Sequence, residues 1–468
     1  MASIEPQQLF AGFGRADITP APNFPNGMWM AQKHARGSGI HRRLYISCVV
    51  LGTAADAVAL VSYDLVLLSV PQVTAIREAI RARTGLPLDR IWLYVTHNHA
   101  GPITQDFYDR EGAAEVAAYV AALPERSAQA AEQAWQQRRP ARIQSGVGEC
   151  RIGVNRDLNH RGRMITGPNL AGFADPDVGV IRVDGVDGSP IAAIVTYGCH
   201  PTFLGPGNTL ISPDYPGVTR DVFESITAAP CLFLQAGAGN VGPLRGFLAD
   251  VSEVERCGHM LACAAAQTYF TLPMEGYPAI IHHVVESGAP LGIVREQPAA
   301  TGHQDFRVLA RQVPLPTDNP GPTVYDSVEQ DIDNARVRVE RLKREGAAPG
   351  EIQLATQHLL RHRLRAERKR LYSTPEFPLE VGALLIGKSC FISLACEPYA
   401  ELGVAIKRRS PAEKTIFAGY EGPDVIYVAP SESYREPRPM EVYNSPFGPG
   451  AAAVLVEAAV SMLHELYL

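Results

Sequence analysis

His97 and His99 stand one residue apart at the end of Ile91-Trp92-Leu93-Tyr94-Val95, an apolar, mostly β-branched and aromatic run that reads as a buried strand. Gly101-Pro102 forbids continuation of that strand, so the two imidazoles sit at its C-terminal mouth. In open α/β sheets this edge is where loops converge over a crevice and ligands bind. A turn beginning at His97 would bring both rings into one pocket, and neutral imidazole is a good zinc ligand. A hydrogen-bonded histidine pair capping a strand would explain the same spacing, so the pair alone does not decide.

Three further stretches share this form, a β-rich run halted at a metal-binding type of side chain beside Gly or Pro. IAAIVTYGCHPT delivers His200, CFISLACEPYAELG delivers Glu397, and PDVIYVAP delivers Tyr427. With His97 they supply two nitrogens and two oxygens, a set that suits a catalytic zinc (Zn2+) with an open position for water. Zinc lowers the pKa of a bound water to near 7 and polarises a carbonyl, which points to hydrolysis of an amide or ester. His99 is placed to shuttle the proton. Arg156 offers charge for a carboxylate or a developing oxyanion, and the Gly237–Gly242 loop, with Asn240 and Gly242, offers backbone N–H donors. Asp64 and Asp214, at element ends, are candidates to orient a ligating imidazole, although turn or cap roles explain them as well. Arg156, Arg161 and Arg163, with Asn155 and Asn159, would line the pocket with donors for an acidic or polyhydroxylated substrate.

The elements that must position these residues alternate. Strands are expected over 44–53 and 56–64, a helix over 70–84, then the histidine strand and a helix over 113–138. Strands near 142–148, 178–184 and 190–197 follow, then a helix over 215–227, a strand over 230–235 and a helix over 251–271. Past residue 372 come strands at 379–386, 390–395 and 423–429 and a last helix over 450–466. This is an α/β chain of mixed β-sheets flanked by helices. Residues 10–40 read as a polar loop. Residues 322–372 read as a helical hairpin inserted into a single domain spanning 1–468, broken at Gly346–Gly350, with the basic run Arg361–Arg370 as a solvated face.

The 468 residues are 46% hydrophobic and 20% charged, with a formal net charge of −6, which argues against nucleic acid as partner and for a small-molecule substrate. Eight cysteines without Cys-x-x-Cys spacing read as reduced and structural. Neither a signal peptide nor a stable membrane anchor is expected, hence a cytoplasmic chain. Homo-oligomerisation stays open.

Taken in series, ADITP at Ala16, GIHRRL at Gly39, SYDL at Ser62, THNHAGP at Thr96, VNRD at Val154, GCHPT at Gly198, SPDYPG at Ser212, FLQAGAGNVGP at Phe233, ACEPYAELG at Ala395, YVAPSESY at Tyr427 and YNSPFGPGA at Tyr443 resemble the neutral/alkaline non-lysosomal ceramidases and their bacterial relatives. The resemblance implies zinc ligands His97, His200, Glu397 and Tyr427, and substrate-side roles for His99, Arg156 and Tyr443. It also shows departures. Ceramidases carry Asp-Val-Ser-Pro with a proposed serine nucleophile, where this chain has Asn240-Val241-Gly242-Pro243. We therefore expect a relative without that serine and without the C-terminal domain, hydrolysing a small soluble amide or ester through metal-activated water. The alternatives are a true N-acylsphingosine amidohydrolase and a non-catalytic metal- or ligand-binding relative. A metallo-β-lactamase arrangement would need Asp-His soon after His99, where Ala100 and Gly101 stand.

Overall fold

The computed structural model describes residues 7–26, 28–104, 112–272, 279–296, 303–423 and 426–468. Its largest sheet runs Cys231–Gln235, Pro190–Tyr197, Asp177–Gly185, Arg139–Glu149, Gln7–Asp17, Tyr45–Gly52, Ala57–Tyr63, Ile91–Val95. The pairs at its two ends are parallel, Ile91–Val95 with Ala57–Tyr63 and Cys231–Gln235 with Pro190–Tyr197. The strands between them pair antiparallel. The sheet curls until its ends meet: the Ser62 hydroxyl donates to Phe233 O at 2.6 Å. That closure brings the mouths of the His97 and His200 strands together.

Period-two alternation explains the layers. Ile91, Leu93 and Val95 pack against the helices Val70–Thr84 and Ala113–Gln136. Trp92 and Tyr94 point the other way, onto a second sheet of Phe306–Pro316, Glu376–Ile386, Ser389–Leu394 and Lys414–Ala418. Trp92 stacks across this seam on Phe391, with ring centroids 6.4 Å apart. The other half of the first sheet is covered by Asp214–Thr227 and Ser252–Thr271, and the second sheet by Ala400–Arg409 and Ala451–Tyr467. Helices, sheet, sheet and helices thus form four layers, the mixed sheets flanked by helices expected from the sequence.

Two expectations about elements change, and one segment given no element gains a hairpin. The supposed loop begins as the strand Gln7–Asp17, in the middle of the large sheet. Gly12 and Gly14 hide it in the sequence, and the structure shows why they are there: an added Cβ would meet Ala134 O at 2.1 Å and Ala130 O at 2.0 Å on the overlying helix. The VNRDLNHRGR segment is a β-hairpin, Gly153–His160 with Arg163–Asn169, and Arg161 and Arg163 lie exposed at its turn. Of the strand expected over 423–429, Tyr427 and Val428 pair with Glu397 and Pro398, and residues 424–425 lie outside the described set. The helices Val328–Arg344 and Pro349–Leu371 stand between two strands that are themselves direct antiparallel neighbours.

Candidate metal centre

His97 has left-handed backbone geometry, φ 62°, a conformation that costs a non-glycine residue energy and clusters at functional sites. The turn is fixed from both sides. Val95 N–H donates to Tyr420 O, Thr96 N–H to Tyr63 O, and His97 N–H to Leu65 O, at 2.9–3.1 Å. Gln235, ending the strand at the opposite edge of the sheet, ties the two histidine loops together: its buried amide nitrogen donates to Thr96 O and to Cys199 O, both at 3.1 Å. Tyr215 donates its hydroxyl proton to the same Cys199 carbonyl at 2.7 Å.

The rings converge. His97 lies 4.7 Å from His200 and 5.1 Å from His99, centroid to centroid, and His99 lies 5.4 Å from His200. One nitrogen from each of the three falls within 4.8 Å of the others. His97 Nδ1 pairs with Val66 O at 2.7 Å and His200 Nδ1 with Ala238 O at 3.2 Å, which leaves each Nε2 for the centre. Glu397 Oε2 approaches His97 Nε2 at 3.4 Å. Burial lowers His97 and His200 well below the ordinary histidine range and takes His99 down to about 3, with Arg156 adding to the effect on each. All three rings are therefore neutral, the form that ligates metal.

Fit to a metal can be judged from the polar atoms left over. Glu397 Oε2 and both ring nitrogens of His99 are buried without a hydrogen-bond partner among the described residues. Unmet acceptors beside neutral imidazoles are what a divalent cation with nitrogen and oxygen ligands would satisfy. The Tyr427 hydroxyl accepts from Arg156 Nη2 at 3.2 Å.

The other sequence candidates part company. Asp64 does not orient an imidazole: its carboxylate pairs with buried Arg220 at 2.5 Å and accepts Tyr45 N–H at 2.9 Å. Asp214 accepts the N–H groups of Leu204 and Tyr215, a turn role. Asn240 caps the helix Ala400–Arg409, accepting Ala400 N–H and donating to Glu401. The N–H groups of Gly239 and Val241 are already given to Pro398 O and Ala238 O, so the loop is a poor oxyanion cradle. Arg156 is no open anion site either. Burial opposes its charge, but Glu441 at 2.7 Å more than offsets this and holds the guanidinium above its usual range. Asn155 donates to Phe173 O, and Asn159 accepts Gly162 N–H in the hairpin turn. Tyr443 donates its hydroxyl to Glu436 at 3.4 Å and lies under Arg438.

Sequence reasoning passed over Tyr420, Gln235, Glu441 and Trp29. Tyr420, also left-handed at φ 58°, sets its ring 4.9 Å from His97 and its hydroxyl 3.4 Å from His200 Nδ1. It follows the strand Lys414–Ala418 and precedes Glu421-Gly422, so the strand-end pattern used for the ligands would have found it. Trp29 stacks 5.0 Å from His99, and nothing in its sequence surroundings signals that.

Gly242 lines a cleft of 300 Å³ with Arg156, Thr202 and Phe247. Its backbone is not left-handed, and an added Cβ would meet Arg156 Cδ at an ordinary 3.4 Å, so no glycine-only conformation exists there. We predict that Gly242→Ser folds with wild-type stability and does not raise turnover, because the side chain that the new residue meets is Arg156, a cation that cannot act as its base. A covalent acyl adduct trapped on the wild-type protein during turnover would overturn the water mechanism behind this prediction.

Residues 9–243 match the family described as neutral/alkaline non-lysosomal ceramidase, N-terminal, and the chain belongs to that family. Among its relatives is the neutral ceramidase of Pseudomonas aeruginosa, 26% identical over 249 residues, an alignment covering 50% of this chain and 36% of that protein. The fold is that of the crystal structure of neutral ceramidase from Pseudomonas aeruginosa, at TM-score 0.69 and 18% identity, over 98% of this chain and 74% of that one. A ceramidase structure complexed with C2 matches at TM-score 0.68, with 18% identity and 98% and 75% coverage.

Proposed function

We propose that the chain is a zinc-dependent hydrolase of an amide or ester bond in a small soluble substrate, with His97, His200, Glu397 and Tyr427 holding the metal. The observation that carries this reading is the buried, unmet Glu397 Oε2, 3.4 Å from His97 Nε2 and beside the converging His97 and His200 rings. Zinc, when bound, would supply a Lewis acid and lower the pKa of water. The protein's part is positional. Val66 O and Ala238 O fix the tautomers of His97 and His200, Gln235 sets their separation, and Arg156 supports Tyr427 as an oxygen ligand. His99, with both nitrogens open, can take a proton at one of them and hand it to the leaving group. Gly242 offers no hydroxyl, so water is the nucleophile. The eight free cysteines support a reducing, cytoplasmic setting. Among the described residues no helix is long and apolar enough to cross a membrane.

True ceramidase activity is the second reading, favoured by the likeness to the two ceramidase structures. Metal analysis together with turnover of a panel of acyl amides, esters and long-chain ceramide tests both. We expect about one zinc per chain and hydrolysis of soluble substrates; turnover of ceramide alone would select the second reading. Metal binding should also depend on pH in a defined direction. Burial pushes the Glu397 carboxyl up to about 7, so below that pH it holds a proton that the metal must displace. The histidines, held low, do not compete in this window. Affinity should be level above about pH 7 and fall about tenfold per unit beneath it, read by competition with a chelator.

A further inference from the structure

The inserted hairpin carries positive charge to the metal centre. Along Pro349–Leu371, Gln357, Arg361, Arg365 and Arg368 recur at spacings of four, four and three, which puts them on one helical face with buried Leu360 and Leu364. The sequence expectation for this run is a solvated surface; Glu367 and Arg370 are exposed, but Arg361 and Arg365 are half-buried. The Nε atoms of Arg361 and Arg365 are buried without partners, as is Gln357 Nε2, and no ion pair to Arg361 or Arg365 occurs among the described residues. Both arginines nevertheless keep part of their surface exposed.

The hairpin that bears this face is tied to the segments that form the centre. The Arg361 charge is felt at His99, and that of Arg368 at His97 and Glu397. The hairpin is held over the site at both ends. At its root Val324 N–H donates to Tyr443 O, the Tyr325 hydroxyl donates to Asn444 O at 2.7 Å, and Ser445 Oγ donates to Tyr427 O at 2.8 Å. At its tip Gly350 lies against Lys33, in the segment whose Trp29 stacks on His99. Burial and the like charges of Arg368 and Arg365 push Arg361 down to about 10, the condition of a guanidinium lacking its counter-ion. Asp331, the hairpin acid that acts on Arg365, is already engaged by Ser327 Oγ at 3.0 Å.

We propose that Arg361 and Arg365 hold an anionic group of the substrate, a carboxylate or a phosphate, above the metal centre. Resting on the hydrolase reading above, this makes the substrate an acid whose amide or ester bond reaches the histidines while its charge is held by the hairpin. Arginine suits the task because its planar fork binds either oxyanion with two donors.

The test measures binding of inorganic phosphate and of acetate to the full chain, by calorimetry at constant ionic strength. Wild type is compared with Arg361→Gln, Arg365→Gln and, on the exposed face, Arg344→Gln, with zinc content followed in each. At least one anion should bind the wild type, with Kd raised about tenfold or more in the first two variants and unchanged in the third. Loss for phosphate alone assigns a phosphate-bearing substrate, and loss for acetate a carboxylate. Arg361→Lys, which keeps the charge but not the fork, replaces any glutamine variant that does not fold and should also weaken binding. Equal Kd values in all the proteins, or no anion bound by the wild type, overturn the proposal. Binding through the metal alone would give those equal values. If the arginine-dependent binding appears in a chain that hydrolyses no substrate, the hydrolase reading falls and the anion site stands.

Discussion

We expect His97→Ala and His200→Ala each to lose bound metal and to lower kcat/KM by about a thousandfold or more, with the fold intact. The size follows from what is removed: a catalytic ion contributes several kcal/mol of transition-state stabilisation, and each ligand is one of a small set. Both rings are committed to the centre, because Nδ1 is spent on Val66 O or Ala238 O and only Nε2 remains. The fold survives because the His97 turn is held by backbone bonds from Val95 and Thr96 that do not involve the imidazole. A chain of this length builds its core without a metal. Metal content, steady-state rates and circular dichroism of the two variants check each part. Stoichiometric zinc retained in both would refute the ligand assignment.

Arg220→Ala should destabilise the fold by about 3–5 kcal/mol, since it strands the Asp64 carboxylate, 3% exposed, without its counter-charge. The pair joins the end of the Ala57–Tyr63 strand to the helix Asp214–Thr227, and Arg220 also donates to Arg43 O. Urea unfolding gives the magnitude. Zinc content per folded molecule should stay unchanged, because neither residue touches an imidazole. Were Asp64 orienting a ligand, Asp64→Asn would instead weaken metal binding about 10–100-fold with little loss of stability.

Much of the centre is legible in the sequence. Apolar runs halted by Gly or Pro mark the strand mouths at His97, His200, Glu397 and Tyr427, and the structure brings these mouths together because parallel pairs deliver their C-terminal ends to one side. The helix 70–84 is equally plain, with Ser69 ahead of it, Pro at its first turn and Gly85 in left-handed geometry behind it.

Polar partnerships are a different matter, and here Asp64, Arg156 and the hairpin arginines teach the same lesson. Asp64 and Arg220 are 156 positions apart, and Arg156 and Glu441 285 apart, so no local pattern couples them. Periodicity tells which side chains share a face but not what covers that face. A helix with arginines every three or four residues reads as solvated whether it meets water or a cavity, and an extended run broken by glycines reads as a loop until a helix is seen pressing on it. The sequence by itself therefore determined the strand mouths and the side-chain types at them, because these depend on residues adjacent in the chain. Only the tertiary structure decided which charges are spent on one another and which are left facing the centre, since that depends on the desolvation and pairing of groups brought together from distant segments.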